Sequence, residues 1–213
     1  MSGTRHALIR PYRPSDREAL YAVCLATGRD GDDASASFRD PSLLGHRYVG
    51  PYLDLEPTLS YTLEDDVGPC GYVLGTADSE RFYRRFEEAW LPPLRAALGP
   101  PPALGAASVD TDSEDERLLA ELFAPSITLP RDLDAYPAHL HIDLLPRAQG
   151  RGHGRRMMAT LLEALVARGA PGVHAGVSPR NERALGFYRA LGFEHVASEP
   201  DDPDTLLMGR KLP

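Results

Sequence analysis

The sequence predicts an α/β fold, and three observations carry the prediction. Two runs rich in strand formers, Leu59 to Glu64 and Cys70 to Thr76, flank Asp65-Asp66-Val67-Gly68-Pro69 and read as a hairpin. From Ser79 the apolar period becomes helical, with Phe82, Phe86 and Trp90 recurring every four residues and Tyr83 beside them. The C-terminal third reads as strand, glycine loop, helix, strand, helix and two more strands.

In chain order, Ala7 to Arg10 is a short strand. The turn Pro11-Tyr12-Arg13-Pro14-Ser15-Asp16 follows it, with Ser15 or Asp16 capping a helix whose apolar face carries Leu20, Val23 and Cys24. Thr27 to Gly50, rich in Asp, Ser and Gly, reads as mostly loop with a short helical stretch. The hairpin comes next, then the helix from Ser79, which Pro92-Pro93 is expected to end. Beyond the run Pro100-Pro101-Pro102 and the acidic stretch Asp110 to Glu116, a short helix spans Leu118 to Phe123, capped by Asp112 or Ser113. Residues 78 to 137 therefore read as an insertion in a single domain spanning 1–213. The final unit runs strand Ala138 to Leu145, helix Arg155 to Arg168, strand Val173 to Val177, helix Asn181 to Leu191, and strands near His195 and Leu206.

The 213 residues suffice for one elaborated domain. A formal charge of -8 argues against a nucleic-acid partner, which needs a concentrated basic surface. Lys211 is the only lysine, so 22 of the 23 basic residues are arginine, a bias that reads as genomic composition. The segment Met1 to Glu18 has charges and prolines where a signal peptide needs an apolar run. With no long apolar stretch anywhere, a cytoplasmic protein with no membrane partner is expected. Cys24 and Cys70 are too few for a disulfide framework.

Chemistry concentrates between Gln149 and Arg156. Gly150, Gly152 and Gly154 let backbone approach a ligand closely and precede the free amides of a helix start, where the helix dipole attracts an anion. Arg151, Arg155 and Arg156 add positive charge where a helix usually prefers acids. The loop does not fit a dinucleotide fingerprint, which needs a glycine at Arg155, nor a P-loop, which needs a lysine and a hydroxyl.

Gln149-Gly150-Arg151-Gly152-His153-Gly154 resembles the Q/R-x-x-G-x-G/A signature of the GNAT acetyltransferases. Asn181 to Phe193 is similar to that family's N-x-x-A-x-x-F-Y-x-x-x-G-F segment. The run Tyr136 to Asp143 further resembles the acetyltransferase-like domain at the C-terminus of O-GlcNAcases and its free-standing bacterial relatives. The resemblance covers residues 138 to 197 strongly and does not cover 78 to 137. It implies a mixed, mostly antiparallel central sheet splayed at the cofactor site, with helices on both faces. It also implies acetyl-CoA as co-substrate and a small-molecule or peptide amine as acceptor. Leu144 and Leu145 would offer backbone groups to pantetheine, and Gln149, Gly150, Arg151, Gly152, His153, Gly154 and Arg155 would wrap the pyrophosphate. Asn181 and Tyr188 would flank the pantetheine and thioester. Tyr188 is then the expected acid for the leaving thiolate, with Asp143, or His141 through water, as the base.

On the strand Ala138 to Leu145, a period of two puts Leu140, Ile142 and Leu144 on one face and His139, His141 and Asp143 on the other. The polar face either lines a cleft, the favoured reading, or forms a structural network. Two rival functions follow: a non-catalytic acetyl-CoA-binding or protein-interaction module, and a metal-dependent hydrolase built on His139, His141 and Asp143. Alternate strand residues are too far apart for the second without further ligands, so no metal is expected. Asp30, Asp32 and Asp33 read first as a solvated turn; the resemblance places this region beside the acceptor, where they would suit a cationic one.

Overall fold

The computed structural model describes residues 7–99, 113–198 and 205–213. Pro100, Pro101, Pro102 and Asp112 lie outside them. Seven strands form one sheet: β1 (Leu8–Pro11), β2 (Ser60–Asp65), β3 (Gly68–Thr76), β4 (Ala138–Leu144), β5 (Gly172–Val177), β6 (Glu194–Ser198) and β7 (Leu206–Lys211), in the order β1-β2-β3-β4-β5-β7-β6. Every pairing is antiparallel except β4 with β5, which is parallel and confined to Ala138 opposite Val173 and His139 opposite His174. Beyond His139 the two central strands separate. The sheet is thus mixed, mostly antiparallel and splayed at its centre, as the resemblance implied.

A hydrophobic core covers each face. On one, α7 (His153–Val166) and α8 (Glu182–Arg189) pack Met157, Met158, Leu161, Leu165 and Leu185 against Leu63, Val73, Leu140 and Val173. On the other, α1 (Arg17–Leu25), α2 (Leu43–Tyr48), α3 (Gly50–Leu55), α4 (Ser79–Arg85), α5 (Leu91–Leu98) and α6 (Glu114–Phe123) bury Leu20, Leu44, Leu53, Phe82, Leu91 and Leu122 against Tyr72 and Leu74. Residues 79–98 and 114–123 therefore share a core with the first three helices.

Three local expectations are corrected. Pro92-Pro93 does not end the helical segment: one π-helical turn, Phe86–Trp90, follows α4, and the prolines fall in the first turn of α5. A first turn tolerates proline because its N–H groups have no intrahelical acceptor, and the wider turn before it resets the ladder. Asp16 stands at the N-cap of α1, as expected, but its side chain makes no capping bond: its carboxylate turns back to the Arg13 N–H (2.9 Å) and the Arg10 guanidinium (2.6 Å). Finally, α7 begins at His153 rather than Arg155, with Gly152 at its N-cap in the left-handed region (φ 75°). Ser113 does cap α6, accepting from the Glu116 N–H at 3.3 Å.

Candidate active site

The separation of β4 from β5 opens a cavity of about 820 Å³ that runs from the α7 N-terminus to the loop after α1. Its walls follow from strand register. The Leu145 N–H donates to the Cys70 carbonyl at 2.8 Å, and hydrogen-bonded pairs alternate along an antiparallel ladder. Asp143, His141 and His139 therefore direct their backbone groups to β3, whereas those of Leu144, Ile142 and Leu140 face β5. Pairing with β5 stops at His139, so Ile142 and Leu144 present their N–H and C=O groups to the gap. The Leu144 carbonyl accepts from the Gln149 side-chain amide at 2.6 Å. Leu145, expected to offer its backbone here, does not: its N–H is already used within the sheet.

At one end of the cavity stands the loop into α7. Gly150 (φ 70°) and Gly152 (φ 75°) hold left-handed conformations, and a Cβ on either would meet nothing within 4 Å. Geometry and open space both require or permit glycine there, for turning and for access. Gly154 differs: its Cβ would sit 3.2 Å from the Phe187 ring, so this glycine lets α7 pack close to α8. No acid occupies the first turn of α7. His153 and Arg155 line the cavity, whereas the exposed Arg151 does not. Slight burial, then Arg156 and Arg151, lower the His153 pKa. Both effects favour the neutral imidazole there.

Gln149 ties this loop to two others. Its amide nitrogen holds Leu144, and its oxygen accepts from Arg183 at 2.5 Å, while Arg183 also reaches the Gly31 carbonyl at 3.3 Å. Arg180 pairs with Asp30 at 3.2 Å. Asn181 lines the cavity, but its side-chain oxygen is committed to capping α8 through the Ala184 N–H (2.9 Å). Gln149 and Asn181 thus shape the site chiefly through the backbone they hold. Of the three early acids, only Asp30 lines the cavity.

In the middle of the cavity the polar face of β4 divides. His139 is buried away from it, its Nδ1 2.7 Å from the Ser79 hydroxyl and its ring among Tyr52, Phe82 and Tyr83; its buried Nε2 has no partner among the described residues. Burial, then His174, Arg47 and His141, push its pKa far down, so it is neutral. His141 and Asp143 do line the cavity, with Nε2 of one 3.0 Å from Oδ2 of the other. Between them sits the hydroxyl of Tyr72, a fully buried residue of β3, which donates to Asp143 at 2.5 Å and lies 3.0 Å from His141 Nε2. Cys24 from α1 is close enough that its donor atom and those of His141 and Asp143 lie within 4.8 Å of one another. Two of the three, His141 and Asp143, are already bonded to the Tyr72 hydroxyl. Burial, then Asp143, raises the Cys24 pKa, leaving a neutral thiol that is a poor metal ligand.

Tyr188 faces this cluster from α8. Its ring packs edge-on to Phe187 and Phe193, and it is 6% exposed. Burial first, and Asp143 second, raise its pKa above that of an ordinary phenol, so it stays protonated at neutral pH. The far half of the cavity is lined by Phe38, Tyr48 and Leu118, with Glu114 paired to Arg117 and Glu121 lying 3.6 Å from Arg47. Sequence reading missed Tyr72, Tyr48 and Arg183. Nothing local marks a tyrosine on a central strand as polar-facing, and only the register of β3 against β4 reveals it.

Comparison with known proteins agrees with this geometry. A family model described as the acetyltransferase (GNAT) family matches residues 127–193. The chain is 32% identical over 208 residues to protein O-GlcNAcase of Rattus norvegicus, and the Mus musculus protein matches equally. That alignment covers 96% of this chain but 22% of the relative, so the chain spans about a fifth of those proteins. Among solved structures, SsHAT is 41% identical with a TM-score of 0.85, covering 96% of this chain and 98% of that one. The yncA protein of Salmonella typhimurium, solved with its cofactor acetyl-CoA, has a TM-score of 0.56 at 15% identity, covering 97% and 94%. At that identity the likeness is one of fold.

Proposed function

The chain belongs to the GNAT acetyltransferase family, and on that premise we propose that it transfers an acetyl group from acetyl-CoA to an amine held in the far half of the cavity. One observation carries the reading: a single cavity joins an anion-attracting helix start, an unpaired strand edge and a proton-handling cluster, in that order. These suit a pyrophosphate, an amide-bearing pantetheine arm and a reacting thioester respectively.

Acetyl-CoA supplies an acyl group already activated as a thioester. The free amides from Gly152 onward, the α7 dipole and Arg155 would hold the diphosphate. The open groups of Ile142 and the Leu144 N–H match amides of an extended arm, as a strand would. The Leu144 N–H, directed into the gap, is the candidate to polarise the thioester carbonyl. Tyr188 keeps its proton for the departing sulfur, and the cluster around Asp143 receives the proton of the amine.

The test is a panel of amines, peptides with free N-termini or lysines among them, assayed for thiol release from acetyl-CoA. Acceptor-dependent release supports transfer. Binding of acetyl-CoA with no release from any acceptor would instead make the chain a binding module.

A further inference from the structure

We propose that the base is His141, acting through Nδ1, with Asp143 and Tyr72 as positioning residues; this rests on the transfer reading above. The argument counts protons. Tyr72 has one, and its 2.5 Å bond to Asp143 uses it. The Tyr72 oxygen is then an acceptor toward His141 Nε2 at 3.0 Å, and the Asp143 carboxylate, which has no proton to give, lies at the same distance. Nε2 must therefore carry a hydrogen, which leaves Nδ1 of the neutral ring with its lone pair free.

The surroundings hold that state in place. The imidazole is sandwiched between Tyr72 (centroids 5.5 Å apart, 19° between planes) and Tyr48 (5.9 Å, 14°), which fixes its plane. Its side chain is 32% exposed, lines the cavity, and has no partner on Nδ1 among the described residues. Asp143 Oδ2 already accepts the phenol proton and lies 3.0 Å from Nε2, so the carboxylate is placed to steady a charge on the ring. An imidazolium formed here meets that carboxylate and two aromatic faces.

The step balances. The amine nitrogen bonds to the acyl carbon, the carbon–sulfur bond breaks, the amine proton passes to Nδ1, and sulfur takes the Tyr188 proton. Solvent then carries a proton from the imidazolium to the phenolate, leaving amide and free thiol. The groups facing His141 are Cys24 from α1, Tyr48 from α2, Tyr72 from β3, and His139 and Asp143 from β4. Of these, Cys24 and Tyr72 have pKa values raised by burial and His139 one lowered by it, so none of the three changes charge near neutral pH.

The experiment has two readouts. Nitrogen-15 NMR of the histidine rings, with His141 assigned by its absence in His141→Gln, should show the Nε2-protonated tautomer in the intact protein without any ligand. Asp143→Asn should weaken that preference. In turnover, His141→Gln should lower kcat/KM by roughly 10²- to 10⁴-fold, abolish the acidic limb of its pH profile, and leave acetyl-CoA affinity within a few-fold. An Nδ1-protonated ring, or an acidic limb that survives in His141→Gln, overturns the assignment while leaving transfer intact. A parent protein that turns over no amine overturns both.

Discussion

Gly152 holds a left-handed backbone in open space, so a side chain placed there reveals what the loop is for. A Cβ there meets nothing within 4 Å, and the cost of an aspartate to the fold is a left-handed residue, about 1 kcal/mol. Its carboxylate would repel a diphosphate at the helix start. Gly152→Asp should therefore keep its melting temperature within about 4 °C of the parent and lose acetyl-CoA binding by more than tenfold. Unchanged affinity would make the loop structural. Tyr188→Phe removes a hydroxyl whose proton is retained by burial, without disturbing the ring contacts to Phe187 and Phe193. Turnover should fall by roughly 10²- to 10⁴-fold, with acetyl-CoA affinity within a few-fold. Equal turnover would reduce Tyr188 to packing. Both residues were legible because their motifs are local: a glycine with positive φ and an asparagine cap leave short-range signatures. Leu145 was misread because which of two adjacent amides faces the gap depends on pairing with β3, and Tyr72 was missed for the same reason.

At the scale of elements, the first strand is tied to the first helix through one buried ion pair. Arg10 of β1 donates to Asp16 at 2.6 and 2.9 Å, and Thr62 of β2 adds a hydroxyl at 3.1 Å. Burial alone would raise the Asp16 pKa, but the Arg10 guanidinium, the Arg13 N–H and Thr62 more than offset it, and the net direction is down. A carboxyl depressed in the folded state stabilises above its unfolded pKa, about 3.9, and loses that contribution as pH falls through the folded value. Asp16→Asn should cost about 3 kcal/mol at neutral pH, and the gap to the parent should narrow below about pH 4. A gap that is constant with pH in denaturant titrations would contradict the pairing. The strands and most helices were readable from period and composition, whereas the passage from α4 to α5 was not. Prolines usually stop helices, and the π turn at Phe86–Trp90 that accommodates them has no short-range signature. The helix α3 also escaped reading: Gly50 and Pro51 open it, yet Gly50 is there because a Cβ would lie 2.2 Å from the Tyr21 hydroxyl.

For the whole molecule, the central sheet carries one core on each face and parts in the middle, and that parting makes the cavity. Residues 79–98 and 114–123 close its second core, and α6 contributes Glu114, Leu118 and Glu121 to the half where an acceptor would sit. The family motifs read from the sequence do not extend there, so the acceptor end was the least legible part of the site. The cofactor end was the most legible. Among the described residues, no helix is long and apolar enough to cross a membrane.

The central claim, that the gap between β4 and β5 holds a coenzyme A thioester, is tested most directly by thermal unfolding with added ligand. At a hundred times its dissociation constant a ligand bound only to the native state adds about 2.7 kcal/mol, which for a chain of this size raises the melting temperature by about 5–10 °C. Acetyl-CoA and desulfo-CoA should both produce such a shift, since each carries the diphosphate and the pantetheine arm, and adenine alone should produce little. No shift with any of the three would contradict the account.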